Sequence, residues 1–281
     1  MTDPSPGRLT VDGSALHYEK HGAGPLVVLV TGLAGVLDWW RPAIPLLAAS
    51  HNVVAHDLRG CGRSADAGDV SMAAQARDVL ALADACGVDR FTVVGASFGG
   101  CVVQELLCTA PERLTAAVLL CSGPADLHQE LMSTLLDPGS ALARARQAAG
   151  VDDSSPMPDR LLADAPLLFT EEFTTTRRYQ RWLADVPAAH SAHVGPESSA
   201  YLMAAATHNR YADLHRGTTP VLAVMGTEDV FIPSWVQQRD AAEIPGAISV
   251  TVAGGRHGLP VERAELWVAL TEDLRAGRLS P

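Results

Sequence analysis

Seven strand-length apolar runs punctuate this chain of 281 residues, and stretches of helical spacing fill most of the intervals between them. That alternation marks a mostly parallel sheet flanked by helices, because each parallel crossover must pass back over the sheet. The run 26–30, Leu-Val-Val-Leu-Val, holds no polar residue, as a strand covered on both faces requires. Residues 9–18 read as an edge hairpin strand. Further strands are expected at 52–56, 91–94, 116–121, 221–225 and 248–252. Ser71 is placed to cap a helix in which Met72, Ala76, Val79, Leu80 and Ala83 recur at helical spacing, with Gly87 as its stop. A second helix is expected over 98–110, ended by Pro111, and a last one over about 261–276.

One interval breaks the rhythm. About a hundred residues lie between Cys121 and Val221, far more than a crossover needs. Helical patterns occur around 129–136, 140–150, 171–185 and 198–211, with a loop at 150–156. These predict a helical insertion over the end of the sheet, a cap spanning 124–211, with the core formed by 1–123 and 212–281. The alternative is a separate helical domain.

The strongest local signal is Gly95-Ala96-Ser97-Phe98-Gly99-Gly100, a G-x-S-x-G between an expected strand and an expected helix. A nucleophile on a sharp strand-to-helix turn needs small neighbours, and the helix behind it points free N–H groups at developing negative charge. A serine also needs a base. Of ten histidines, His257 is best placed, in Gly254-Gly255-Arg256-His257-Gly258 after a strand and before the last helix. His17, His21 and His51 are expected near the opposite end of the sheet or on its edges, and solvated, and His56 is a weaker rival. His128, His190, His193, His208 and His215 fall in the insertion or its exit. An orienting carboxylate is required in turn. Asp229 directly follows a buried strand and is preferred over Asp126, which follows the strand ending near Cys121.

Composition excludes several classes. The net charge of −11 disfavours nucleic acid and anionic lipid as partners. No apolar run approaches the ~20 residues of a membrane span, and the N-terminus lacks the pattern of a signal peptide. Five cysteines without a CxxC pair argue against a disulfide framework or structural zinc. A cytoplasmic location is expected, with no metal and no cofactor. The single lysine, Lys20, leaves no GxxxxGK[ST] phosphate loop.

The order Ser97, Asp229, His257 brings a family into view. The chain resembles the α/β-hydrolases along nearly its whole length. The resemblance rests on Thr31-Gly32-Leu33-Ala34-Gly35, on Asp57-Leu58-Arg59-Gly60-Cys61-Gly62-Arg63-Ser64, on the Ser97 turn and on the Asp229 and His257 segments. It implies the α/β-hydrolase fold, with Ser97 as nucleophile, His257 as base, Asp229 as orienting acid, and the backbone N–H groups of Leu33 and Phe98 as an oxyanion hole. Many relatives carry His-Gly where this chain has Thr31-Gly32, so the hydrogen bonding beneath that hole should differ. Asp57 and Arg59 belong to a loop whose role in the family is structural.

Trp39, Trp40, Phe98, Trp182, Phe231 and Trp235 are candidate pocket walls, although aromatics serve the core more often than a ligand. Cys101 reads as a packing residue, and Arg177, Arg178 and Arg181 as a solvated face. The expected function is serine hydrolysis of a small, mainly apolar ester or lactone. The same triad would serve a C–C bond hydrolase, an acyltransferase, an aminopeptidase or a ring-opening or ring-closing enzyme of secondary metabolism. A ligand-binding module with little turnover is the reading outside the enzymes. The expected partner is a small molecule, and the oligomeric state, monomer or homodimer, stays open.

Overall fold

A computed structural model of the protein describes residues 5–33, 35–64, 68–126, 137, 139–152, 155–190 and 197–279. Eight strands form one sheet in the order β1-β2-β4-β3-β5-β6-β7-β8. They are β1 (Ser5–Val11), β2 (Ser14–His21), β3 (Leu26–Val30), β4 (Asn52–His56), β5 (Phe91–Ala96), β6 (Leu114–Leu120), β7 (Val221–Gly226) and β8 (Ile248–Val252). The β1/β2 and β2/β4 pairings are antiparallel, and all others are parallel. The first expected strand is therefore two. Asp12 and Gly13 both take positive φ, +50° and +85°, and turn the chain back on itself. This Asp-Gly pair is the local signal for a tight hairpin.

The continuous apolar runs have the expected cause. Along β3, Val28 and Val30 point into one core cluster while Val27 and Leu29 point into the other. The same split divides Ala117 and Leu119 from Val118 and Leu120 on β6, and Ala223 and Met225 from Leu222 and Val224 on β7. These strands and β5 are buried on both faces along most of their length, so both parities are mainly apolar; Thr92 of β5 and Thr115 of β6 are the polar exceptions and bond each other at 3.0 Å. One face is covered by α2 (Met72–Ala85) and α3 (Phe98–Thr109). The other is covered by α1 (Ile44–Leu47) and, near the C-terminus, by a helix over Ala264–Arg275. Ser71 caps α2, its hydroxyl accepting from the Ala74 amide at 3.3 Å.

Between β6 and β7 the described helices are α4 (Ala141–Ala149), α5 (Met157–Leu168), α6 (Glu171–Thr174), α7 (Arg177–His190) and α8 (Glu197–Thr207). The expected 171–185 helix is broken at Thr175, and the helix expected over 198–211 ends at Thr207. The helix α5, which follows the 150–156 loop, has no counterpart among the helices expected from the sequence. Pro158 lies in the first turn, where a missing N–H costs nothing. The residues 129–136 lie outside the described residues, as do His128 and His193. After β7 come α9 (Ser234–Ala242), α10 (Leu259–Glu262) and α11 (Ala264–Arg275), so the expected 261–276 helix is two pieces.

The Asp57 segment is a brace. One carboxylate oxygen accepts the Leu37 amide at 2.7 Å, and the other accepts the Arg63 amide at 2.8 Å. Arg59 makes a two-pronged pair with Asp78 at 2.5 and 2.6 Å, with both side chains buried. His51, expected to be solvated, is buried, with Nδ1 3.2 Å from the Leu47 carbonyl and 3.2 Å from Glu272.

Candidate active site

In an open parallel sheet, ligand sites form beyond the carboxyl ends of the strands, where the strand order reverses. Here the reversal falls between β3 and β5, since β3 is flanked by β4 on one side and β5 on the other. The Thr31–Gly35 loop leaves β3 and the Ser97 turn leaves β5, so the two meet there. A Cβ on Gly32 would lie 3.3 Å from Ser97 Cβ and 3.7 Å from Ser97 Oγ.

Ser97 has φ +53° and ψ −120°, a conformation that L residues rarely adopt. Such a backbone costs on the order of 1–3 kcal/mol and persists only where its surroundings enforce it. The enforcement is visible. The Ser97 amide donates to the Leu120 carbonyl at 3.0 Å, and its carbonyl accepts from Gly100 and Gly123, each at 2.8 Å. The glycines are sterically obligatory. A Cβ on Gly95 would sit 2.2 Å from the Gly99 carbonyl oxygen, and one on Gly99 would sit 2.2 Å from the Val30 carbonyl oxygen. Phe98 opens α3, so its N–H has no intrahelical acceptor. Leu33 follows Gly32 inside a turn closed by Gly35 N–H to the Gly32 carbonyl at 3.0 Å. Thr31 is buried, and its hydroxyl has no hydrogen-bond partner. The loop is instead held by that turn and by the Leu58 amide donating to the Gly35 carbonyl at 3.2 Å.

Asp229 follows β7 and His257 follows β8. His257 Nδ1 and Asp229 Oδ2 are 2.8 Å apart. Oδ1 of the same carboxylate accepts the amides of Phe231 and Ile232, both at 2.9 Å. A carboxylate acts as acceptor, so the shared proton belongs to Nδ1 and Nε2 is left as a lone-pair base. Asp126 is committed elsewhere, to Arg239 at 2.5 Å. Ser97 Oγ makes no hydrogen bond among the described residues, to His257 or to any other group. A nucleophile–base contact is commonly loose until substrate closes it.

Cys121 lies beneath this pair. Its Sγ, a carboxylate oxygen of Asp229 and a ring nitrogen of His257 all fall within 4.8 Å of one another. It is the one such trio of possible metal ligands among the described residues. Burial raises the Cys121 thiol well above its ordinary pKa, with the Asp229 charge adding to the effect, so the sulfur is a protonated packing group. Its S–H faces the Arg256 carbonyl at 3.8 Å. Cys101 is likewise buried, with its thiol pushed up to about 12 by desolvation.

The candidate wall residues separate. Trp39 and Phe231 pack against a third apolar cluster formed by Ala165, Leu168, Phe169, Phe173, Trp182, Val186 and Val261. Trp39 meets Trp182 edge-on at 5.3 Å, and Phe231 lies 5.0 Å from the His257 ring. Trp40 does not join them. It is buried under the sheet, edge-on to Trp267 at 5.8 Å, because consecutive residues of a helical turn face different sides. Trp235 is partly exposed on α9 and lies outside that cluster. Phe98 points into the core, edge-on to Tyr201 at 5.2 Å, so only its backbone faces the site. Phe169 was not anticipated from the sequence, and it lies at the end of the unanticipated helix α5.

A family profile described as "alpha/beta hydrolase fold" matches residues 25–264, most of the chain. A protein of Caulobacter vibrioides, provisionally named carbamate hydrolase RutD, is 30% identical over 267 residues, covering 91% of this chain and 93% of the relative. A protein of Azorhizobium caulinodans with the same provisional name is 42% identical, but over 106 residues, 37% of this chain and 40% of the relative. Among solved structures, a hydrolase from Pseudomonas aeruginosa PA01 aligns with a TM-score of 0.73 at 26% identity, covering 97% of this chain and 98% of the other.

Proposed function

This chain belongs to the α/β-hydrolase family and is a hydrolase, and from that premise we propose that Ser97, His257 and Asp229 form a catalytic triad acting on a small, mainly apolar ester or lactone. The observation that carries the reading is the Asp229–His257 hydrogen bond at 2.8 Å, made at a pair that also meets Cys121, the residue after the Leu120 carbonyl that holds the strained Ser97 backbone. Ser97 Oγ attacks the carbonyl carbon and passes its proton to His257 Nε2. The oxyanion is held by the backbone N–H groups of Leu33 and Phe98, a contribution for which losing one donor typically costs ~10²–10³ in rate. Asp229 stabilises the imidazolium, which delivers its proton to the leaving oxygen. His257 then activates water to release the acid from Ser97.

Residues 124–211 serve in this reading as a cap, and Trp39, Trp182 and Phe231 as the walls that meet the acyl group. Phe231, 5.0 Å from the His257 ring, and the apolar cluster it packs against favour an uncharged substrate. A carbamate is the second reading, supported by the provisional name of the Caulobacter relative, and the same attack on a carbonyl would serve it.

The test is intact-protein mass after exposure to a fluorophosphonate, for wild type, Ser97→Ala and His257→Ala, with turnover of short p-nitrophenyl esters and the matching carbamates. One adduct, lost in Ser97→Ala, together with ester turnover is the expected result. No adduct on folded wild type would sink the triad and move a ligand-binding role to first place.

A further inference from the structure

His257 sits on a loop, yet a base must hold its orientation to within a fraction of an ångström. The residues on both sides of it are tied to the insertion. The Gly258 amide donates to the Leu168 carbonyl at 2.7 Å. The Arg256 guanidinium, through Nη1, donates to the carbonyls of Pro166 at 2.7 Å and Phe169 at 2.8 Å. These acceptors belong to the last turn of α5 and the residue after it, where helix carbonyls have no intrahelical donor and carry the negative end of the helix dipole. A cation and a backbone N–H from the His257 loop thus cap α5.

Close packing tightens the junction. A Cβ on Gly258 would fall 2.3 Å from Phe169 Cε1 and 2.6 Å from the Leu168 carbonyl oxygen, so only glycine lets the two segments approach. On the far side, the Glu262 carboxylate accepts the Thr170 amide at 3.0 Å and its hydroxyl at 2.6 Å. Arg178 of α7 pairs with Glu265 of α11, one contact being 3.0 Å. From below, the Cys121 thiol meets the Arg256 carbonyl.

We propose that the segment 166–170 of the insertion is a clamp that sets the His257 imidazole, with Arg256 and Gly258 as its positioning residues. The insertion then does more than cover the site: it completes the geometry of the base. It cannot lift away along this edge without releasing His257, so substrate exchange takes place away from the α5–α10 junction. This rests on the triad reading above.

The experiment compares wild type, Arg256→Met and Arg256→Lys in three readouts: the rate of fluorophosphonate adduct formation, kcat and KM on a p-nitrophenyl ester, and hydrogen exchange over 254–262. Arg256→Met is expected to slow both adduct formation and kcat about tenfold, to leave KM within about twofold, and to speed exchange of the Gly258 amide while the central strands keep their protection. Arg256→Lys, which can still reach one carbonyl, should recover part of the rate. Wild-type adduct rate and kcat in Arg256→Met would overturn the clamp, as would a change confined to KM or exchange rising throughout the chain. If wild type itself forms no adduct, the triad reading fails. The clamp is then judged on exchange alone, and an unchanged Gly258 amide in Arg256→Met overturns it.

Discussion

Asp229 presents one carboxylate oxygen to His257 Nδ1 at 2.8 Å and the other to two backbone amides, so its orientation is set before any substrate arrives. Asp229→Asn keeps the shape but offers an N–H where the imidazole needs an acceptor, favouring the wrong tautomer. A fall in kcat on the order of 10³–10⁴ is expected, with the fold retained. Asp126→Asn, at a carboxylate paired with Arg239, should leave kcat within a few-fold. Steady-state kinetics of the two variants checks this, and equal losses would remove Asp229 from its role.

The strained Ser97 backbone carries a stability cost that glycine would not bear. Ser97→Gly is expected to be inactive and more stable than Ser97→Ala by about 1 kcal/mol, since alanine keeps the Cβ penalty. Urea midpoints of the two variants decide it, and an alanine variant as stable as the glycine one would mean that the strain is not real.

Gly99 lies where a Cβ would be 2.2 Å from one β3 carbonyl oxygen and 2.6 Å from the Thr31 carbonyl oxygen. Both are backbone atoms at and just beyond the end of β3, so relieving the clash has to move main chain there. Gly99→Ala should lose about 1–3 kcal/mol or more, whereas Gly13→Ala has no steric neighbour and pays only for its positive φ. Thermal melts of both would show the difference, and similar melting points would contradict the steric account.

Stability should fall in mild acid. Burial lowers His208 to about 4 and His56 to about 4 from an ordinary 6.5. Above pH 6.5 both forms of the chain leave these rings neutral and their contribution to stability is complete. Between 6.5 and about 4 the unfolded chain takes up protons that the folded one refuses, so stability drops, by on the order of 3 kcal/mol per ring, and levels off below. His208 Nε2 contacts Gln104 Oε1 at 3.2 Å, an acceptor that glutamine could also reach. In His208→Gln the urea midpoint should depend less on pH across this window, and an unchanged slope would show that the ring is not held neutral.

Trp39 and Trp40 are neighbours in sequence with different destinations. Trp40→Ala should cost about 3–5 kcal/mol of stability through the cavity it leaves. Trp39→Ala should act mainly on KM for apolar esters, raising it several-fold. Measuring both parameters on both variants tests the division, and a stability loss at Trp39 equal to that at Trp40 would contradict it.

Much of this was legible in the residues. The runs that became β3, β4 and β8 match their strands end to end, and Ser71 caps the helix it was expected to cap. The Ser97 turn was legible because strand, glycines and helix are adjacent in the chain and act through local sterics. Helix α5 has no expected counterpart, and its buried apolar residues, Ala165 and Leu168, pack on Phe169, Trp182 and Val261 rather than on the sheet. His51 was misplaced because burial is a property of neighbours such as Glu272, distant in sequence.

The sequence by itself therefore determined the layered sheet, the order of the candidate triad and the glycines that make the turn possible, since these follow from periodicity, φ preferences and atoms a few bonds apart. The tertiary structure alone decided that Trp39 and not Trp40 joins the apolar cluster beside the site and that the end of α5 grips Arg256 and Gly258, and it put Asp229, already the preferred carboxylate, against His257 while pairing Asp126 with Arg239. Those are contacts between segments tens of residues apart or more. Their choice depends on which carbonyls and carboxylates are left without partners once the sheet has packed, and no local pattern records that.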